Sequence, residues 1–80
     1  MSTKAVNPAL LKKLGANIRA ARSNRGMTQE GLAELAELNA RTVQKIEAGE
    51  TNILTSTLVR IRKGIGCDYD ALLKGLDGLC

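Results

Sequence analysis

The chain has 80 residues, a formal net charge of +4 and 44% hydrophobic residues, which suits one small domain with a modest core. With no His, one Tyr, no Phe and no Trp, it lacks an imidazole for catalysis or metal binding and the aromatic platforms on which single-stranded nucleic acids stack. Its two Cys, Cys67 and Cys80, make neither a metal-ligand spacing nor a disulfide framework, and no apolar stretch has the length of a signal peptide or membrane span, so the expectation is a cytoplasmic protein without metal or cofactor.

Residues 1–7 read as a mobile N-terminal arm and residues 8–80 as the domain. Asn7 before Pro8 opens the first helix, because Asn is a favoured cap and Pro at the first helical position needs no N–H. Leu11, Leu14, Ile18 and Ala21 follow at spacings of three and four, giving one buried face, and the helix stops at Gly26. Gly15 inside it costs about 1 kcal/mol relative to Ala, which close contact with the last helix would explain. Arg19, Arg22 and Arg25 crowd the final turns, where cations complement the helix dipole.

Thr28 caps a second helix over about 29–36, with Leu32, Ala33, Leu35 and Ala36 as its apolar stripe. Glu30, Glu34 and Glu37 form an acidic edge. Glu37-Leu38-Asn39 breaks the run, and Asn39 caps a third helix over about 40–48 that ends at Gly49. Val43 and Ile46 supply its inner edge, while Ala40, Arg41, Gln44 and Lys45 occupy the opposite face. Two short helices, a tight corner and a polar, cationic second member are the layout of a helix-turn-helix. Arg41, Gln44 and Lys45, at one-turn spacing, can enter a major groove together.

After a loop over 50–53, Thr55 is the expected cap of a fourth helix. Leu58, Ile61 and Ile65 face inward, Arg60, Arg62 and Lys63 outward, and Gly66 stops it. Cys67 reads as a core thiol. Asp68 caps a fifth helix carrying Tyr69, Leu72, Leu73, Leu76 and Leu79. Leu72 belongs to the core; Leu76 and Leu79 are divided between core packing and a dimer interface. Cys80 is expected to be exposed.

The run Met27-Thr28-Gln29-Glu30-x-Leu32-Ala33, followed by Thr42-Val43-x-Lys45-Ile46-Glu47-x-Gly49, resembles the DNA-binding domain of the phage Cro and repressor group, the Xre family. The likeness continues through Leu58-Val59-x-Ile61 and Gly66-Cys67-x-Tyr69-x-x-Leu72-Leu73 and covers about Leu11 to Leu73 without gaps. It implies an all-α, five-helix, phage-repressor-like domain whose helix-turn-helix is formed by helices 2 and 3.

Under that resemblance the third helix is the DNA reader. Arg41 can make two parallel hydrogen bonds to guanine, Gln44 and Lys45 can address bases or phosphates, and Ala40 can touch a thymine methyl. Gln29, Asn39, Thr42, Thr51 and Asn52 are the candidate phosphate contacts. Arg22 is implied to pair with Glu47, joining helices 1 and 3. Two positions depart from the family pattern: Glu37 stands where such corners often carry Gly for positive φ, and Leu54-Thr55 inverts a common Thr-Leu order.

The implied function is sequence-specific, double-stranded DNA binding by a transcription regulator, a repressor acting as a homodimer on a palindromic operator. The alternative is an antitoxin or other interaction module of the same fold that binds an unlike partner protein. An enzyme is not expected, since the chain has no His, no paired carboxylates in an apolar setting and no phosphate-cradling Gly loop.

Overall fold

The computed structural model describes residues 7–79, so most of the N-terminal arm and Cys80, expected to be exposed, lie outside the described residues. Five α-helices follow one another: α1 Pro8–Asn24, α2 Gln29–Ala36, α3 Ala40–Glu47, α4 Thr55–Ile65 and α5 Tyr69–Leu73; a 3₁₀ turn, Asp77–Leu79, closes the described chain. Among the described residues there are no strands.

The first three helices start on side-chain caps. The Asn7 carboxamide oxygen accepts from the Ala9 and Leu10 N–H groups, the Thr28 hydroxyl from Gly31 and the Asn39 oxygen from Arg41. α1 ends in paired closing bonds, Met27 N–H to Arg22 C=O at 3.1 Å and Gly26 N–H to Ser23 C=O at 2.9 Å. α2 ends the same way, Leu38 N–H to Ala33 C=O at 2.8 Å, with Glu37 in the left-handed region at φ 59. The Glu at the corner therefore adopts the conformation that usually calls for Gly, which strains it by about 1 kcal/mol.

The core lies where α1, α2, α3 and α4 meet, around Ile18, Leu32, Val43, Ile61 and Ile65, and Leu72 of α5 closes one end. α2 packs on both α3 and α4, and α1 packs on α3 and α5. α1 comes unusually close to α3: a Cβ on Gly15 would run into the Ile46 carbonyl oxygen and lie 2.6 Å from that of Glu47. The small residue thus serves the contact with α3, and not one with the last helix. Gly49, at φ 73, lets the chain leave α3 directly against the Lys12 backbone.

Four other expectations are corrected. Leu35 leaves the apolar stripe and is 60% exposed, because α4 reaches only as far as its Cβ, near Gly64. α4 is capped from Leu54, one residue before Thr55, without a side-chain bond. Arg62 is not a solvated charge: its guanidinium lies 4.7 Å from the Tyr69 ring centroid and donates to the Cys67 carbonyl at 3.4 Å. The fifth helix is one short turn and a half, interrupted before Leu76. Asn17 Nδ2 takes the Leu72 and Lys74 carbonyls at 2.8 and 2.9 Å, and Gly75 turns the chain at φ 78.

Leu76 packs against the core cluster, and Leu79 is half-buried with its carbonyl accepting from Asn7 Nδ2 at 2.7 Å. Cys67 is half-buried beside the same core.

Candidate nucleic-acid interface

α3 has two faces of opposite character. Val43, Ile46 and Glu47 are buried, while Arg41, Gln44 and Lys45 are exposed. Ala40 is half-buried against the core and Thr42 is half-buried, so both are less available than the three long side chains. Asn39 is exposed; its oxygen caps α3 at 2.8 Å, which leaves its amide N–H groups for a partner.

The back of α3 is braced by a charged cluster. Arg22 Nε donates to Glu47 Oε2 at 2.6 Å and Nη2 to Oε1 at 3.0 Å, a bidentate pair, while Nη1 donates to the Met27 carbonyl at 2.7 Å. The side chains are 11% and 3% exposed. A desolvated pair of this kind fixes orientation more than it adds net stability. The hydrogen bond to Glu47 raises the Arg22 pKa further above its ordinary value, burial opposes the shift, and the charges of Glu47 and Glu30 add to it. The stability linked to Arg22's own proton is therefore fully present below the ordinary guanidinium value and is lost as pH rises through the raised one.

Gln29 Nε2 donates to Glu47 Oε1 at 3.0 Å. A carboxylate only accepts, so the amide nitrogen must face Glu47, and its second N–H stays available. Arg19, Arg22, Thr28, Gln29, Gln44, Glu47 and Ala48 together line an open groove between α1, α2 and α3. The structure thereby brings Arg22, Gln29, Gln44 and Glu47 into one place. Thr51 and Asn52 lie apart from that groove, in the loop after α3, where the Thr51 hydroxyl donates to the Asn52 carbonyl at 3.3 Å and Asn52 is exposed.

Two residues that shape this site are not assigned to it by the sequence. Gly15, buried behind the surface, reads there as a site of close helix contact but with the wrong partner, since that depends on how α1 crosses α3. Arg19 looked like one of three dipole-complementing cations, yet it lies on the groove. Its spacing of three from Arg22 was the available signal.

A two-helix unit whose second helix exposes a polar, cationic face and is anchored from behind defines the helix-turn-helix class. A helix-turn-helix family model matches residues 18–72, from mid-α1 into α5, and the chain belongs to this Xre-like family of DNA-binding transcription regulators, which are not enzymes. Three solved structures show the same fold. The restriction-modification controller protein C.AhdI from Aeromonas hydrophila is 28% identical with a TM-score of 0.77, over 80% of this chain and 97% of that one. The clp gene regulator ClgR from C. glutamicum is 26% identical with a TM-score of 0.82, over 95% and 97%. The wild-type restriction-modification controller protein C.Esp1396I is 30% identical with a TM-score of 0.76, over 86% and 91%. No protein of curated function matches the sequence. Among the described residues no helix is long and apolar enough to cross a membrane.

Proposed function

We propose that this protein is a sequence-specific repressor that binds double-stranded DNA as a homodimer on a palindromic operator in the cytoplasm. One observation carries the reading: Arg41, Gln44 and Lys45 stand exposed on a short helix whose rear is locked by the Arg22–Glu47 pair. Preorganised cationic donors at one-turn spacing match the base edges of a major groove. Arg41 addresses a guanine, Gln44 and Lys45 its neighbours, and Ala40 a thymine methyl. Gln29, Asn39, Thr42, Thr51 and Asn52 hold the flanking phosphates.

One such helix offers few base contacts, and two linked copies combine their discrimination. The C-terminal segment supplies a surface for that pairing, with half-buried Leu76 and Leu79 beside Leu73, which is 42% exposed. Half-sites then lie about one helical turn apart on one face of the duplex. Occupying a promoter in this way blocks polymerase.

The test is selection of purified protein on random duplex DNA with sequencing of the retained pool. A two-fold symmetric consensus is expected. No enrichment from folded protein at moderate salt would reject the reading and favour an interaction module with an unlike protein partner.

A further inference from the structure

Arg19 and Arg22 stand one turn apart on α1 and meet different fates. Arg22 is committed to Glu47 and the Met27 carbonyl. Arg19 is exposed, has no hydrogen bond or ion pair among the described residues, and lines the same groove as Gln29, Gln44 and Ala48. The Glu47 carboxylate in that groove is neutralised by the bidentate Arg22 pair, so the charge left over is that of Arg19.

The position of Arg19 is set by packing. The contact of Gly15 with the Ile46 and Glu47 carbonyls holds α1 against the end of α3, and Arg19 follows one turn later. Across the groove, Gln29 offers its second amide N–H. An exposed guanidinium and an amide N–H on one groove, with the carboxylate there already paired, suit an anion rich in acceptors. The phosphate contact proposed for Gln29 falls on this same groove.

We propose that Arg19 is a DNA-phosphate contact, working with Gln29 to fix the register of α3 on the duplex without reading a base. This rests on α3 being the reader. It also makes the N-terminal helix part of the binding surface, on the strength of a residue that the helix-turn-helix itself does not contain.

The experiment is a set of anisotropy titrations of the selected duplex and a scrambled one across a salt series, with wild type, Arg19→Gln, Arg19→Lys and Lys13→Gln. Lys13 lies on the other side of α1, beside Gly75, and its replacement removes the same charge. Arg19→Gln should weaken both duplexes by one common factor and flatten the salt dependence by about two phosphate contacts, one per subunit of the dimer, so its deficit shrinks about tenfold between about 50 and 200 mM salt. Arg19→Lys should keep the wild-type slope, and Lys13→Gln should leave it unchanged.

Wild-type affinity and slope in Arg19→Gln, with the wild-type consensus intact, would overturn the proposal and leave the DNA-reader reading standing. A loss confined to one base pair would also overturn it, by making Arg19 a base reader. A wild type without preference for any duplex would instead remove the reading beneath it.

Discussion

Gly15→Ala sets helix propensity against packing, and the structure decides which prevails. In an isolated helix the substitution is favourable by about 1 kcal/mol. Here the new methyl would collide with the Ile46 carbonyl oxygen and sit 2.6 Å from that of Glu47, where ordinary contact begins at 3.4 Å. Both obstacles are backbone, so no side chain can rotate away, and α1 and α3 must separate by roughly 1 Å. A gap of that size forfeits about a quarter to a half of the dispersion energy of each affected atom pair. Overpacking of this kind costs about 1–3 kcal/mol. Collision with two backbone carbonyls puts this case in the upper part of that range, about 2–3 kcal/mol, so the packing term exceeds the propensity gain and leaves a net loss of about 1–2 kcal/mol. For a domain of this size each 1 kcal/mol moves Tm by about 4–8 °C. Urea unfolding followed by circular dichroism, with a thermal melt alongside, gives the value directly. A variant as stable as wild type, or more stable, would refute the claim that α1 and α3 are in backbone contact at Gly15.

Two further substitutions test the corner and the brace. Glu37→Gly relieves a left-handed residue and should stabilise the fold by about 1 kcal/mol, read as a rise in Tm; a fall would show that Glu37 is held there without strain. Arg22→Ala leaves Glu47, 3% exposed, with only the Gln29 amide, and should destabilise by about 3–5 kcal/mol in urea unfolding. An unmoved unfolding midpoint would mean that the pair does not brace α3.

The fold was legible where its signals are local. Asn7, Thr28 and Asn39 announce helix starts because each short polar side chain can reach an N–H two or three residues on, and each does. Gly26, Gly49 and Gly66 announce stops because they adopt positive φ without strain. Spacings of three and four located Leu14, Ile18, Ile61 and Ile65 in the core.

What the sequence hid depends on neighbours distant in the chain. Leu35 fits the apolar spacing of α2, but the reach of α4 leaves it in solvent. Arg62 sits in a run of cations, and only the fold brings Tyr69 beneath it. The fifth helix ends early where Asn17, more than fifty residues back, donates to the Leu72 and Lys74 carbonyls. In the candidate site, residue types and their face on α3 could be read from the spacing. The groove that joins Arg19 to Gln29 could not, since it exists only once α1 crosses α3.

The measurement that bears most directly on the central claim is the random-duplex selection repeated with Arg41→Ala beside the wild type. The account predicts a symmetric wild-type consensus containing a guanine in each half-site, and for the variant the same consensus relaxed at that one position, with about 1–3 kcal/mol of discrimination lost there. An unchanged consensus, or an equal loss on every sequence, would contradict the assignment of α3 as a helix that reads bases through Arg41.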